Sequence, residues 1–263
     1  MRVLNEQIDV AGFLQKLPAA RERILMLDYD GTLAPFHSRP QLAFPYPEIS
    51  RTLDRLMRDE DTRVVIVSGR RASEIMPLLR LERQPEIWGA HGWERLSPEG
   101  ELSIRAVDEQ QAALLKQAFE AAQGAVEFGA RIEYKPASIA LHWRGLSIIK
   151  RLKTRAWIAT AWESLAGADG LEMQAFSGGL EMLVRGERKG YAVRSILEHA
   201  TADSVIAYLG DDTTDEEAFV EMREQGLAVL VRERLRDTHA HLWIRPPHEL
   251  RRFISHWCKE GQQ

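Results

Sequence analysis

Ile24-Leu25-Met26-Leu27 is a four-residue apolar run that stops at Asp28-Tyr29-Asp30-Gly31-Thr32, and this change of chemistry constrains the fold more than any other feature of the chain. A continuous apolar run this short fits a strand buried on both faces, the kind found in parallel sheets. In open α/β sheets ligands bind just beyond the carboxyl ends of such strands, which is where Asp28 and Asp30 fall. Side chains alternate along extended chain, so if extended geometry persists both carboxylates leave on one side. Like charges that close are costly without a cation, and a hard divalent ion with oxygen ligands is the usual remedy. Gly31 lets the backbone approach a ligand, and Thr32 adds a hydroxyl. An Asp-Gly turn that merely closes a strand is the competing reading of the same residues.

Two later runs repeat the pattern. Val64-Val65-Ile66-Val67 ends in Ser68-Gly69-Arg70, and 204–209 delivers Gly210-Asp211-Asp212-Thr213-Thr214-Asp215-Glu216. Between them, Arg188-Lys189-Gly190 opens a helical pattern. A lysine at a helix N-terminus opposes the macrodipole, which makes sense if an anion is shared there; a solvated surface lysine is the alternative.

Residues 21–95 read as strand and helix in alternation, with strands near 24–28, 63–67 and 86–91 and helices over 46–58 and 72–79. That alternation predicts a parallel sheet. The turn Ser97-Pro98-Glu99-Gly100 interrupts it. The next stretch carries helices over 108–123 and 148–165 with adjacent strands near 130–134, 139–143, 171–176 and 180–184, the mark of an α+β unit with an antiparallel sheet. The first pattern then resumes: a helix to 200, a strand to 209, a helix over 215–224 and strands near 227–231 and 241–244. The expected fold is therefore α/β, a doubly wound, Rossmann-like parallel-sheet core formed by residues 1–100 and 183–263, with an inserted α+β domain at 101–182. The first twenty residues, which include Glu6 and Asp9, read as an amphipathic helix rather than a signal peptide.

In this order, Asp-x-Asp-Gly-Thr, Ser, Lys and Gly-Asp-Asp-x-x-x-Asp resemble the haloacid dehalogenase superfamily of phosphotransferases. The resemblance implies that Asp28 is a nucleophile carrying an aspartyl-phosphate and Asp30 the general acid and base. It implies that Ser68 and Lys189 hold the transferring phosphoryl group, with Thr32, Gly69 and Arg70 beside it. Magnesium would sit on Asp28, Asp211 and the backbone carbonyl of Asp30, with Asp215 and Asp212 orienting that shell. The chemistry is consistent: a carboxylate is a competent nucleophile towards phosphorus, and phosphoryl transfer depends on positioning and charge stabilisation by cations, hydroxyls and N–H groups.

Within the insert, Glu133-x-Lys135, His142-x-Arg144, and Glu181 with Arg185 four residues on place both charge signs on an alternating sheet. Period two puts each pair on one face. Such a face suits a hydroxyl-rich ligand; an exposed face with cross-strand ion pairs is the equal alternative. The segment from Glu133 to Arg144, together with 27–35, 68–70, Gly89-Ala90-His91-Gly92 and 210–216, is similar to the signatures of trehalose-6-phosphate phosphatases. It departs from them at Arg188 and Trp93. That resemblance implies hydrolysis of trehalose 6-phosphate, with Glu133, Lys135 and Glu181 on the distal sugar and His142, Arg144 and Arg185 in the same substrate region. Two alternatives stay open: a phosphatase for sucrose 6-phosphate or mannosyl-3-phosphoglycerate, and a catalytically silent sugar-phosphate-binding regulator on the same fold.

Composition narrows the partners. With 263 residues, 44% of them hydrophobic, and a net charge of −4, the chain can bury a large core and carries no basic run suited to nucleic acid or an anionic membrane surface. No apolar stretch is long enough to span a bilayer. The single cysteine, Cys258, excludes an internal disulfide and suits a cytoplasmic protein. The expected partner is a small sugar phosphate, and a monomer is compatible with these features. The remaining histidines lack zinc-ligand spacing, and Trp157 and Trp162 fall on a helical pattern suited to packing.

Overall fold

The computed structural model describes residues 1–58, 62–166, 170–176, 178–186 and 188–258. Its contacts separate two compact units, Met1–Ser103 with Glu187–Gln263, and Ile104–Gly186.

The first unit begins with β1 (Arg2–Val3), α1 (Val10–Lys16), β2 (Arg23–Leu27), α2 (Ile49–Arg58), β3 (Thr62–Val67), α3 (Ala72–Leu79), β4 (Glu86–Gly89), β5 (Glu94–Leu96) and β6 (Leu102–Ile104). The insert runs α4 (Glu109–Ala122), β7 (Arg131–Lys135), β8 (Ser138–His142), α5 (Ile148–Ala166), β9 (Leu171–Phe176) and β10 (Gly179–Val184). The first unit then resumes with α6 (Lys189–Leu197), β11 (Val205–Gly210), α7 (Glu216–Glu221), β12 (Leu227–Val231), β13 (Leu242–Ile244) and α8 (His248–Ser255).

The first sheet has nine strands in the order β1-β13-β12-β11-β2-β3-β4-β5-β6. From β13 through β4 every neighbouring pair is parallel, while β1 and β5 join antiparallel. Helices cover both faces, which is why the central strands are apolar without alternation. Leu25, Leu27, Val64 and Ile66 pack with α2, α3 and α8 through Leu53, Ile75 and Phe253. Ile24, Met26, Val65 and Val67 pack with α6 and α7 through Ile196 and Phe219. The chain steps outward from β2 to β3 and β4 on one side, and from β11 to β12 and β13 on the other. The strand order therefore reverses between β2 and β11, the place where doubly wound sheets bind ligands.

Two details differ from the sequence expectation. Residues 1–20 hold a two-residue edge strand before a seven-residue helix, because pairing of Arg2 and Val3 with Trp243 and Leu242 is a tertiary event that periodicity does not register. The sheet also continues past β4: β5 folds back on it in register Ile87↔Leu96, and β6 extends the edge. These three-residue strands are too short to leave a pattern.

The insert is an antiparallel four-stranded sheet, β7-β8-β10-β9, with α4 and α5 packed on it. Trp162 is fully buried and its indole N–H donates to the Ala118 carbonyl at 2.9 Å. Trp157 is half-exposed, edge-on to Phe128. No helix among the described residues is long and apolar enough to cross a membrane.

Candidate active site

Strand β2 ends at Leu27, and the chain turns at once. The extended alternation that would aim Asp28 and Asp30 the same way does not persist, and the two carboxylates meet different partners. Asp28 receives the Lys189 ammonium on Oδ1 at 2.7 Å and the Thr32 hydroxyl on Oδ2 at 3.0 Å. Asp30 is gripped by Arg70, whose Nε and Nη2 each donate to one carboxylate oxygen at 2.5 Å. Arg70 also donates to the Pro40 carbonyl at 2.9 Å and lies against the Tyr29 ring. Burial would lower the Arg70 guanidinium, but its bonds to Asp30 outweigh that and raise it. The turn itself is fixed by Gly31 donating to Ala34 and by Leu33 and Ala34 donating to the Tyr29 carbonyl.

Across the switch point, β11 delivers Asp211, Asp212 and Asp215. Asp28, Asp211 and Asp215 are all buried, with carboxylate oxygens within 4.8 Å of one another. Asp215 is saturated: Oδ1 accepts from Lys189 at 2.7 Å and from the Tyr208 hydroxyl at 2.5 Å, while Oδ2 accepts the backbone N–H groups of Asp211 and Asp212, both at 3.0 Å. Asp212 lies outside this buried group; its exposed side chain caps the following turn through Thr213 N–H. Gly31 has φ of +87°, and a β-carbon there would lie 2.1 Å from Asp211 Oδ2. Glycine is thus required twice, for the left-handed turn and for the close approach to Asp211.

Lys189 begins α6 and is almost wholly buried, so it is not the solvated lysine that its sequence position also allowed. Burial alone would lower its ammonium, but Asp215 and Asp28 outweigh burial and hold it above its usual range. Asp28 is pushed upward by burial, with Lys189 opposing and Asp215 reinforcing. Both groups are thus shifted upward, which favours the charged form of Lys189 but the neutral form of Asp28. The 2.7 Å contact decides for an ionised pair, and what remains against Asp28 is burial and carboxylate crowding. Asp211 is raised by burial and by both neighbouring carboxylates.

The donor set can be tested for a divalent cation on charge alone. Three buried carboxylates share one ammonium, which bonds Asp28 and Asp215 and leaves Asp211 aside. Anionic oxygen donors this close suit a hard cation, and an added double positive charge is what lets Asp28 and Asp211 ionise together. The residues fit the group.

Ser68, Gly69 and Arg70 follow β3, the strand next to β2. The Ser68 Oγ accepts from Arg70 N–H at 3.2 Å. The Gly89–Gly92 segment closes over this loop: Ala90 donates to Arg70 O at 2.6 Å and His91 to Ser68 O at 2.9 Å.

In the insert, Glu133 and Lys135 share a face with Ser138, His142 and Glu181 through the register Glu133↔Ala140↔Glu181 and Lys135↔Ser138. Glu181 Oε1 accepts from Lys135 at 3.1 Å and from Ser138 at 2.5 Å, and all three are buried. Glu133 bonds His142 at 2.8 Å. Burial would raise Glu133, but the His142 bond and the Lys135 charge outweigh it and hold it at about 2. The Lys135–Ser138–Glu181 group is thus not a solvated face. Arg144 and Arg185 lie past the ends of β8 and β10 and are exposed; Arg185 donates to the Leu171 carbonyl at 3.3 Å.

The sequence reading gave no individual role to Tyr208, Ser138 or His91, although the last two lie in segments that resemble the family signatures. Tyr208 carried a usable signal, since a hydroxyl inside an otherwise apolar strand must find a partner, and here it finds Asp215.

The sequence profile of the trehalose-phosphatase family matches residues 26–241. A bifunctional trehalose-6-phosphate synthase/phosphatase from Thermoproteus tenax is 31% identical over 216 residues, covering 81% of this chain. The chain spans 29% of the length of that protein. Trehalose-6-phosphate phosphatase from Aspergillus fumigatus is 27% identical, with a TM-score of 0.64 over 94% of this chain and 96% of that one. The C-terminal domain of trehalose-6-phosphate phosphatase from C. albicans shares the fold, with a TM-score of 0.76 over 98% of both chains at 19% identity.

Proposed function

The chain belongs to the trehalose-phosphatase family, and from that premise we propose that it hydrolyses trehalose 6-phosphate to trehalose and inorganic phosphate through a phosphoryl group carried on Asp28. The observation that carries this reading is the buried group of Asp28, Asp211 and Asp215 around Lys189 at the switch point between β2 and β11. A protein that only bound sugar phosphates would have no use for an oriented, buried nucleophile with an acid-base residue two positions on.

In the first displacement a carboxylate oxygen of Asp28 bonds phosphorus as the bond to the sugar oxygen breaks, and Asp30 gives that oxygen its proton. In the second, Asp30 takes a proton from water, the water oxygen bonds phosphorus, and the Asp28–phosphorus bond breaks. Lys189 and the Ser68 hydroxyl oppose the charge on the transferring group, with Thr32 and the Gly69 N–H beside it. Arg70, which the sequence places with the substrate, reaches the same chemistry by orienting Asp30 through its two-point grip. Magnesium would be held by Asp28, Asp211 and the Asp30 carbonyl, backed by Asp215 and Asp212, and when bound it supplies Lewis-acid neutralisation of phosphoryl charge. Glu133, Lys135 and Glu181 are assigned to the distal glucose, with His142, Arg144 and Arg185 in the same region. The division into a core and a substrate-selecting insert near residues 101–182 is part of this reading, and the single thiol suits the reducing cytoplasm.

Phosphate release from trehalose 6-phosphate, sucrose 6-phosphate, glucose 6-phosphate and mannosyl-3-phosphoglycerate tests the assignment. The expected kcat/KM is highest for trehalose 6-phosphate by about tenfold or more, a difference of roughly 1.4 kcal/mol in transition-state binding. A preference for another ester, or no release from any, overturns it.

A further inference from the structure

We propose that His91 is a positioning residue for the phosphoryl site, acting on the Ser68-Gly69-Arg70 loop from an arch of left-handed backbone. This rests on the phosphatase reading above and adds a residue to it.

Three consecutive residues after β4, Ala90, His91 and Gly92, have φ of +48°, +60° and +96°. Glycine adopts such angles freely, but alanine and histidine do so only when their surroundings compel it, and such strain collects at functional sites. Here the compulsion is visible on both sides. Towards the Ser68 loop, Ser68 N–H donates to the Trp88 carbonyl at 2.8 Å, His91 N–H returns to the Ser68 carbonyl at 2.9 Å, and Ala90 N–H reaches the Arg70 carbonyl at 2.6 Å. The imidazole itself lies on Gly69: a β-carbon at Gly69 would stand 2.5 Å from His91 Cε1 and 2.8 Å from Nε2. Gly69 thus gives up its side-chain space to the His91 ring. Towards the other phosphoryl residue, a β-carbon on Gly92 would stand 2.7 Å from the carbonyl oxygen of Arg188, the residue preceding Lys189.

One short arch therefore braces the backbone under Ser68 at one end and the backbone before Lys189 at the other. Phosphoryl transfer is sensitive to such placement, since errors of about 1 Å can cost on the order of a hundredfold in rate. A turn with no task beyond reversing the chain would be served better by glycine at position 91. The ring is what distinguishes this residue from a turn former.

The test exploits that conflict. His91→Gly removes the ring while relieving the left-handed strain, and His91→Asn keeps a side chain that tolerates this backbone. Each is compared with the parent in the presence of magnesium for Tm, for affinity towards inorganic phosphate by calorimetry, and for turnover of trehalose 6-phosphate and p-nitrophenyl phosphate. His91→Gly is expected to keep its Tm within a few degrees, bind phosphate about tenfold more weakly, and lose about tenfold or more in kcat on both esters, with His91→Asn between it and the parent. Gly69→Ala, which drives a methyl group against the ring, is expected to give the same loss from the opposite side. If the variants instead fall in Tm while the folded protein keeps the parent's phosphate affinity and kcat, His91 is a packing residue and the inference is overturned. A parent that binds phosphate and cleaves the aryl ester but not trehalose 6-phosphate overturns the substrate assignment alone, because phosphate affinity and aryl-ester turnover still read the role of His91.

Discussion

Two of the charged groups of this protein, one in the core and one in the insert, are built on opposite principles. In the insert each carboxylate has its own partner: Lys135 stands at 3.1 Å from Glu181, and the His142 ring at 2.8 Å from Glu133. In the core this is not so, because Lys189 serves Asp28 and Asp215 while Asp211 stands beside them with burial and repulsion both pushing its carboxyl upward. A matched group can exist for its own sake, holding strands in register. An unmatched one is a standing cost, and a fold retains it only where something else supplies the missing charge. The imbalance therefore points to chemistry in the core, whereas the balance in the insert is equally compatible with recognition and with structure until it is perturbed.

The largest effect should come from the nucleophile. Asp28→Asn preserves shape and removes the attacking charge, so turnover should fall by about 10⁴-fold or more while the protein stays folded. Phosphate release at the parent rate would remove Asp28 from the reaction and leave the core group without a task.

The imbalance itself can be broken at Asp211. In protein stripped with chelator, Asp211→Asn should be as stable as the parent or more stable by roughly 1 kcal/mol, because it removes a carboxyl whose ionisation burial and two neighbouring carboxylates oppose. Magnesium at about a hundred times its Kd should stabilise the parent by about 2.7 kcal/mol, and Asp211→Asn should lose most of that gain. Thermal unfolding with and without the ion reads both. An undiminished magnesium response in the variant would place the ion elsewhere.

The balanced side yields a smaller, pH-dependent effect. The Glu133 carboxyl is held at about 2, against an ordinary value of 4.5, so it favours the folded state fully above pH 4.5 and that contribution fades as pH falls towards 2. The stability gap between parent and Glu133→Gln should be on the order of 1 kcal/mol near neutrality and shrink below pH 4.5. A gap independent of pH would show that the charge on Glu133 contributes nothing.

How far the sequence disclosed this arrangement differs between the regions for physical reasons. In the core, uninterrupted apolar strands such as Val64-Val65-Ile66-Val67 identify burial on both faces, and polar residues at their ends identify the ligand edge, so β2, β3 and β11 and the residues following them are readable in one dimension. The partners are less so. That Asp30 turns to Arg70 rather than lying alongside Asp28 depends on the chain turning at Asp28, and the place of Asp215 behind Lys189 depends on a capping turn. Strands β1, β5 and β6, at the margins of the sheet, are only two or three residues long and arise from tertiary pairing. In the insert, period two puts Glu133 and Lys135 on one face, but it is strand register that adds His142 and Glu181 to that face and decides which group pairs with which, and Arg144 and Arg185 fall past the strand ends. His91 left no sequence signal of its role, because nothing in Gly-Ala-His-Gly announces that the histidine will adopt the left-handed conformation.

The division of labour between the two regions is tested most directly by one ratio: kcat/KM for trehalose 6-phosphate over kcat/KM for p-nitrophenyl phosphate, measured for the parent and for Glu181→Gln, with Tm as the check on folding. Glu181 bonds both Lys135 and Ser138, and hydrogen bonds to charged groups are worth roughly 1.5–3 kcal/mol each. The account predicts that the ratio falls about ten- to a hundredfold in folded Glu181→Gln, with the aryl ester nearly unaffected. An unchanged ratio, whether both rates hold or both fall together, would contradict it and return the charged face of the insert to a purely structural role.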